Sequence, residues 1–283
     1  MALDALDAEL DSLPGTISVW VAPAGSPVAA YERLADAAHY AASTMKAAVL
    51  AALYRADAAG QLDLDAEVPV VNDFASAKPG APRFANAQDY DQDDDVWDRL
   101  GGTATLRWLA RHMIVRSSNF ATNLVLGHVG VPAVHEVLRI IGATNMTVNR
   151  GIEDADAREA GIDNLITARD LGALMGAIAV GSSLAPRDVC DAMLEVLFAQ
   201  EHREDLAAGL PPGTRIAHKN GWIEGVRHGA GVVFPDDAPP YAIVVATTTP
   251  LADSEDGDDA CTLIARVAAA SWEDRHQIGQ LLP

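Results

Sequence analysis

Cysteine is nearly absent from this 283-residue sequence, which contains only Cys190 and Cys261. Both fall in segments with helical periodicity, and we expect buried thiols rather than a disulfide. Two cysteines are also too few for a zinc site unless histidines lie at suitable spacing. We predict no bound metal and no cofactor.

Long apolar runs are also missing. No stretch reaches the roughly 18 apolar residues that a transmembrane helix needs, so we expect no membrane partner. The N-terminal segment MALDALDAELDSLPG has no basic region, apolar core or small-residue cleavage site, and it is typical of an amphipathic helix rather than a signal peptide. We therefore expect a cytoplasmic protein.

Basic residues are scarce: 20 Lys and Arg stand against 40 Asp and Glu, which gives a formal net charge of −20. Nucleic acids and anionic membranes bind basic surfaces, so neither is an expected partner. Aromatic residues make up only 5% of the chain, and Leu, Val, Ile and Ala must fill most of the core. Because 49% of the residues are apolar, wholesale disorder is excluded. We expect a monomer whose partner is a small molecule.

Segments with the two-residue periodicity of β-strands lie at both ends of the chain. Residues 16–22 and 28–33 form a predicted hairpin, and three further predicted strands cover 214–221, 227–234 and 241–250. The middle of the chain is almost entirely helical in pattern, and a final helix follows the last strand. This arrangement predicts an α+β fold in which a sheet made from both chain ends packs beside a helical insert.

We divide the chain into two interleaved domains. Residues 1–60 and 211–283 form the predicted sheet-containing domain, and residues 61–210 form an all-helical domain. Two long segments without regular periodicity, 72–102 and 146–166, interrupt the helical domain. The acidic residues of the first segment do not fit a calcium loop, which requires glycine and glutamate at fixed positions. We therefore predict a solvated acidic loop.

A serine and a lysine stand three positions apart near the start of the stretch AASTMKAAVLAALYRADAAG. Alanine, leucine, methionine and arginine favour helix, and Ser43 is placed to cap that helix or to occupy its first turn. Residues three apart share a helix face, so the Ser43 hydroxyl is expected beside the Lys46 amine. A desolvated lysine can remove the proton from a serine hydroxyl, which turns the serine into a nucleophile.

Two more short motifs follow this pair. Residues 117–119 (SSN) lie between two predicted helices, and residues 219–221 (KNG) lie on a predicted strand. Together with residues 43–46 (STMK), they resemble in order and placement the S-x-x-K, S-D-N and K-T-G motifs of the class A β-lactamases and penicillin-binding proteins. The resemblance covers essentially the whole chain. It implies a five-stranded antiparallel sheet flanked by the N- and C-terminal helices, with the active site between the two domains.

The resemblance implies a role for each matched residue in acyl transfer. Ser43 corresponds to the acylated nucleophile and Lys46 to its activating base. Ser117 corresponds to the hydroxyl that protonates the leaving nitrogen, and Lys219 to the lysine that positions Ser117 and attracts a substrate carboxylate. Asn119 corresponds to the amide that contacts the acyl side chain of the substrate.

The resemblance also places the oxyanion hole at the backbone N–H groups of Ser43 and Trp222. Three residues differ from the family pattern: Ser118 replaces an aspartate, Asn220 replaces a threonine or serine, and Trp222 stands where a smaller residue is common. Asn220 and Gly221 are still expected to contact the substrate, because asparagine can donate a hydrogen bond. The bulk of Trp222 is expected to narrow the slot for substrate.

Hydrolysis of an acyl-enzyme requires a base for water. In the family, a glutamate in a loop before a helix does this, and Glu153 in the segment 146–166 is the expected counterpart. Asn164 corresponds to the asparagine that accompanies this glutamate. The alternative is that Glu153 forms an ion pair with Arg150 or Arg158 and holds the loop.

Arg227 and His228 stand at the start of the fourth predicted strand of the sheet. Members of the family often carry a cation there that binds the substrate carboxylate, and the resemblance implies this role for the two residues. A structural ion pair is the alternative.

We therefore expect a serine hydrolase that works through an acyl-enzyme, and hydrolysis of an anionic β-lactam is the leading hypothesis. An esterase, amidase or acyltransferase of small-molecule metabolism is the alternative with the same nucleophile. A binding or sensor protein that is acylated without turnover, or is inactive, is the hypothesis from a different class.

Overall fold

The structure is a computed structural model that describes residues 1–181, 184–252 and 259–281. The strands are β1 (Thr16–Pro23), β2 (Tyr31–Arg33), β3 (His39–Tyr40), β4 (Glu67–Pro69), β5 (Thr103–Thr105), β6 (Leu165–Ile166), β7 (Arg215–Ile223), β8 (Val226–Phe234) and β9 (Tyr241–Thr248). The helices are α1 (Asp7–Ser12), α2 (Lys46–Ala58), α3 (Asp94–Trp97), α4 (Leu106–Val115), α5 (Asn119–Val129), α6 (Val131–Ile140), α7 (Ala155–Glu159), α8 (Ala168–Val180), α9 (Arg187–Phe198), α10 (Asp259–Glu273) and α11 (Arg275–Gly279). Within these ranges, no helix is both long and apolar enough to cross a bilayer.

Five strands form one antiparallel sheet in the order β2-β1-β9-β8-β7, so strands from the two ends of the chain lie side by side. β1 pairs with β9 over its whole length, from Thr16 opposite Thr248 to Pro23 opposite Tyr241. The terminal helices α10 and α11 pack on this sheet, and α8 packs on it from the helical region. The predicted α+β fold, with a sheet built from both chain ends, is confirmed.

Strand β1 shows that the sheet is covered on both faces. Ile17, Val19 and Val21 join the core that includes the terminal helices, whereas Trp20 and Ala22 join the core of the helical region. Side chains alternate along a strand, so every second residue faces the same side. All five residues are buried, which places the sheet between two layers of helices.

Helix α2 forms the centre of the helical region. Every side chain from Lys46 to Tyr54 is buried, and the helix contacts α4, α5, α6, α8 and α9. A helix that is apolar on all sides packs inside a protein rather than at its surface. Ser43 lies in the 3₁₀ turn Ala42–Met45 that leads into this helix. The predicted nucleophile therefore stands at the entrance to a fully packed element.

The two segments without periodicity contain short elements of their own. The segment 72–102 includes α3 and is closed by pairing of β4 with β5. The helix that follows this segment begins only at Leu106, because Thr103–Thr105 pair with β4 and the Thr105 hydroxyl caps α4. The segment 146–166 includes α7 and ends in β6, which pairs with β3 just before the Ser43 turn. The predicted domain limits stay a prediction.

Gly172 in α8 supplies a test of how α8 packs on the sheet. A Cβ atom at this position would lie 2.2 Å from Cε3 of Trp20, which is 2% exposed. Overpacking of this kind costs about 1–3 kcal/mol, which exceeds the gain of about 1 kcal/mol that alanine usually brings to a helix. We expect Gly172→Ala to lower the free energy of unfolding measured in urea. Gly127→Ala in α5 is the control, because a Cβ there meets nothing within 4 Å; equal stability of the two variants would contradict this packing.

Candidate active site

A cleft of ≈ 970 Å³ lies where the turn before α2, the start of α5 and the end of β7 meet. Ser43, Ser117 and Asn119 line this cleft. Lys46 and Lys219 lie behind this lining, fully buried, and the amines of both reach the Ser117 hydroxyl. The fold thus gathers the three motifs at one site.

The Ser43 turn is held against strand β7. Ala42 has a φ of 44°, in the left-handed region that an alanine rarely adopts. A Cβ atom on Gly221 would lie 2.7 Å from the Ser43 nitrogen and 2.9 Å from the Thr44 nitrogen. Only glycine therefore allows this approach, which brings Trp222, the next residue of the strand, beside Ser43 at the edge of the cleft.

Lys46 connects the first motif to the second. Its Nζ donates hydrogen bonds to the Ser117 carbonyl oxygen (2.6 Å), to Asn119 Oδ1 (2.9 Å) and to Ser117 Oγ (3.3 Å). Burial lowers the pKa of Lys46 to about 7, while the carboxylates of Asp91 and Glu153 oppose this shift. The amine is therefore partly neutral near pH 7 and can accept a proton. Among the described residues, no hydrogen bond joins it to the Ser43 hydroxyl, although the helical spacing predicted them side by side.

Ser117 stands between two amines. Its φ is 63°, and this strained conformation points the hydroxyl at Lys219, whose Nζ donates a hydrogen bond of 3.0 Å. Burial, reinforced by the charge of Lys46, holds the pKa of Lys219 well below its usual value. A hydroxyl within reach of two lysines of lowered pKa can relay a proton between them.

The N-terminus of α5 is capped twice. Ser118 is the N-cap, and its hydroxyl accepts a hydrogen bond from the Ala121 nitrogen. The Asp91 carboxylate also accepts hydrogen bonds from the Phe120 nitrogen (2.7 Å), the Asn119 nitrogen (3.2 Å) and the Ser118 hydroxyl (3.2 Å). Free N–H groups and the helix dipole attract a carboxylate to this end of a helix. The prediction of a solvated loop is therefore wrong for Asp91.

The prediction of a solvated loop is also wrong for Asp93. Its carboxylate is fully buried and bonds to His112 and to Arg116 Nη1. Asp93, Asp95 and His112 lie close enough together to offer three ligands to a metal ion. Arg116 Nη1 lies 3.1 Å from Asp93 and 2.6 Å from Asp95, so a protein cation already supplies the positive charge between these two carboxylates.

Glu153 faces the cleft from the segment 146–166. Its Oε1 accepts a hydrogen bond from Asn86 Nδ2 (2.9 Å), and its Oε2 accepts one from the Ala87 nitrogen (2.8 Å). Its φ is 69°, and the preceding residue, Ile152, is fixed by two hydrogen bonds with the Asn123 side chain. In the described part of the chain, no ion pair joins Glu153 to Arg150 or Arg158, so the alternative based on such a pair is wrong.

In the part of the chain that the structure describes, no hydrogen bond joins Asn164 to Glu153. Asn164 is buried at the base of the segment, where its Oδ1 accepts hydrogen bonds from the nitrogens of Asn149 (2.7 Å) and Arg150 (3.1 Å). Its carbonyl oxygen accepts a hydrogen bond from the Ala41 nitrogen, two residues before Ser43. The structure therefore shows Asn164 as a brace between this loop and the nucleophile turn, and its described hydrogen bonds do not include Glu153.

Arg227 and His228 differ in their access to the cleft. Arg227 lines it, with its guanidinium over the Trp222 ring at 5.0 Å. His228 is fully buried: its Nε2 donates to the Tyr40 carbonyl oxygen (2.8 Å), and its Nδ1 accepts from the Thr247 nitrogen (3.0 Å). Burial lowers the pKa of His228 to about 4, so the ring is neutral at physiological pH. The structure does not bring His228 to the substrate space, because both of its ring nitrogens hold β8 to β3 and to β9.

Asn220 also lies behind the cleft surface. It is fully buried, its Oδ1 lies 3.3 Å from Lys219 Nζ, and its Nδ2 donates to the His202 carbonyl oxygen (3.4 Å). The His202 ring makes an edge contact with Trp222, with ring centroids 4.9 Å apart. Trp222 is thus packed between His202 and Arg227 and forms a fixed side of the cleft.

Several residues of the site have no counterpart among the predicted ones, and Asn86, Asp91 and Asn123 hold the second motif and Glu153 in place. Asn123 stands four positions after Asn119 on α5, and a second amide on the same helix face is a signal that sequence can show. Asn86 and Asp91 come from the segment 72–102, which has no periodicity. No local pattern identifies their partners.

A profile of the β-lactamase enzyme family matches residues 2–274. The chain belongs to the β-lactamase enzyme family. A β-lactamase of Streptomyces lavendulae is 31% identical over 175 residues, which are 61% of this chain and just over half (56%) of that enzyme. The fold is similar to a β-lactamase of Sphaerobacter thermophilus, with a TM-score of 0.78, 24% identity and coverage of 100% and 98% of the two chains. It is also similar to a point mutant of PBP-A in an acyl-enzyme complex with penicillin G, with a TM-score of 0.75, 24% identity and 96% coverage of each chain.

We expect Asp91→Asn to weaken the α5 cap by about 1 kcal/mol and to lower the rate at which a fluorescent penicillin labels Ser43. Loss of the Asp91 charge also lowers the pKa of Lys46 further, because this carboxylate raises it in the wild type. The pH profile of labelling should therefore shift to lower pH. Adding Ser118→Asp to this variant should restore both stability and labelling, since the new carboxylate stands at the N-cap itself.

The matched control is Asp89→Asn, which removes a carboxylate from the same loop and the same cleft. It should leave the pH profile in place. If the Asp91 variant behaves like this control, Asp91 does not position the second motif.

Proposed function

We propose that the protein is a serine β-lactamase, which opens the lactam ring through an acyl-enzyme on Ser43. The observation that carries the proposal is the Ser117 hydroxyl, which lies within 3.3 Å of Lys46 Nζ and 3.0 Å of Lys219 Nζ in the cleft that Ser43 lines. Membership in the β-lactamase enzyme family supports it. The similarity to a PBP-A mutant captured with penicillin G supports acylation as the first chemical step.

Acylation begins with Lys46 in its neutral form. The amine removes the Ser43 proton, and Oγ attacks the lactam carbonyl carbon, so that a C–O bond forms and the carbonyl oxygen gains negative charge. The backbone N–H groups of Ser43 and Trp222 are the proposed donors to this oxyanion. When the C–N bond breaks, the Ser117 hydroxyl gives its proton to the nitrogen. Lys46 or Lys219 then replaces that proton.

Deacylation requires a water molecule activated by Glu153. The carboxylate is held by Asn86 and the Ala87 nitrogen, and its charge is close enough to Lys46 to raise the pKa of that amine. Glu153 takes a proton from water, the hydroxide attacks the ester carbon, and the C–O bond to Ser43 breaks. The proton returns to Ser43 Oγ through Lys46.

The proposed substrate is an anionic β-lactam. Lys46 and Lys219 lie buried behind the cleft lining, and the positive charge that they retain attracts a carboxylate despite the acidic surface of the protein. Arg227 also lines the cleft. Asn119 is the proposed contact for the acyl side chain, because its amide lies at the cleft surface with Oδ1 on Lys46 and Nδ2 on the Tyr90 carbonyl oxygen. Gly221 is the proposed backbone contact of the substrate. It has no side chain, so the strand can approach Ser43 closely at this position.

We expect sustained hydrolysis of a chromogenic cephalosporin by the wild type and none by Ser43→Ala. The rate constant for acylation should rise with pH and level off above an apparent pKa of about 7, because only neutral Lys46 accepts the Ser43 proton and its pKa is about 7. Stopped-flow measurement from pH 5 to 9 tests this. A single burst without turnover would indicate a binding protein, and ester hydrolysis without lactam hydrolysis would indicate an esterase.

We expect Glu153→Gln to accumulate the acyl-enzyme, because acylation remains and water loses its base. Intact-mass spectrometry after mixing with benzylpenicillin should show a persistent adduct, and peptide mapping should place it on Ser43. Glu159→Gln, an exposed change in α7 of the same loop, is the control and should show rapid loss of the adduct. Equal adduct lifetimes in the two variants would remove Glu153 from the mechanism.

A further inference from the structure

The guanidinium at the cleft surface is already bound by a carboxylate of the protein. Arg227 Nη2 donates a hydrogen bond of 2.6 Å to Glu204 Oε1. The Arg227 side chain is only 7% exposed, whereas the Glu204 side chain is 46% exposed, and both residues line the cleft. The Glu204 carboxylate therefore occupies the solvent side of the guanidinium, which is the side that a ligand in the cleft meets.

A second carboxylate lies behind this pair. Asp205 has no exposed surface, and its Oδ2 is 3.6 Å from Arg227 Nη2 without a hydrogen bond to any described group. Trp222 covers one face of the guanidinium at 5.0 Å. Among the described residues, two acids thus lie beside this base, and a carboxylate that approaches from the cleft meets their negative charge.

A substrate carboxylate and Glu204 compete for Arg227 Nη2, because two like charges at one donor repel each other. Glu204 stands on an exposed side chain that can turn into solvent, whereas Arg227 is fixed by burial. An anionic substrate must therefore displace Glu204 before its carboxylate reaches the guanidinium. An uncharged substrate does not face this competition.

We infer that Glu204 is a specificity-determining residue, an internal competitor of the substrate carboxylate for Arg227. This inference rests on the proposed function. According to this inference, Glu204 makes the cleft discriminate between anionic and uncharged acyl donors, which the residues of the three motifs do not do. Removal of the Glu204 charge takes away one competitor for Arg227 Nη2 and raises the preference for anionic β-lactams.

The experiment compares one chromogenic cephalosporin that has a free carboxylate with its methyl ester, which has the same lactam ring and no charge there. For each variant, kcat/KM is measured for both compounds, and their ratio reports the discrimination. We expect Glu204→Gln to raise the ratio of acid to ester roughly tenfold, mainly through KM, because one charged hydrogen bond is at stake. The kcat/KM for the ester should stay unchanged.

Three further variants isolate the contact between Glu204 and Arg227. Glu224 lines the same cleft, and in the described part of the chain its carboxylate forms no ion pair with Arg227. Glu224→Gln should therefore leave the ratio of acid to ester unchanged. In an Arg227→Gln background, Glu204→Gln should have no effect on the ratio. Glu204→Ala also lacks the carboxylate and should give the same ratio as Glu204→Gln. If one of these two variants fails to fold, the other still tests the inference.

The outcomes separate the inference from the proposed function. If the wild type forms no Ser43-dependent adduct with either compound, the proposed function is wrong and the inference falls with it. If adducts form but the ratio is the same in the wild type and both Glu204 variants, only the inference is wrong. An equal rise in Glu224→Gln would also overturn it, since the effect would then be one of general charge.

Discussion

The burial of two amines around one hydroxyl is the constraint on which the rest of the site depends. Lys46 and Lys219 have no exposed surface, and Ser117 between them is 1% exposed. Removing an ammonium group from water disfavours its charged form, and a second amine nearby adds to the effect. Oxygen acceptors on Ser117, Asn119 and Asn220 offset part of this cost. The same burial that opposes folding also produces an amine able to take a proton from serine near neutral pH.

Backbone strain collects at the same place. Four non-glycine residues in the described ranges have a positive φ, and three of them (Ala42, Ser117 and Glu153) belong to the cleft or precede its nucleophile. Each such conformation costs of order 1–3 kcal/mol and persists only where the surroundings enforce it. Here the surroundings are close contacts between distant segments: Gly221 against the Ser43 turn, Lys46 on the Ser117 carbonyl oxygen, and Asn123 on the residue before Glu153. The geometry of the site is thus maintained by packing rather than by local preference.

The regular elements could be predicted because their signals are local. The alternation in β1 and in β7 to β9 and the alanine-rich run of α2 reflect which face of each element is buried, and the structure follows them closely. Predictions failed where a residue is fixed by a partner far along the chain. Asp91 binds α5 instead of solvent, and the hydrogen bonds of Asn164 go to its own loop and to the Ser43 turn instead of Glu153. Within the helical middle of the chain, Thr103–Thr105 form a strand because β4 lies beside them.

The sequence by itself determined the order of the elements, the family resemblance and the chemical groups available for acyl transfer, because periodicity and short motifs are properties of neighbouring residues. Only the tertiary structure decided which charges meet. It set Arg227 against Glu204, Asp91 against the start of α5, and His228 inside the sheet. These contacts join residues on different elements. The connecting segments that bring such residues together are held by side-chain packing and hydrogen bonds, and these produce no periodic pattern in the sequence.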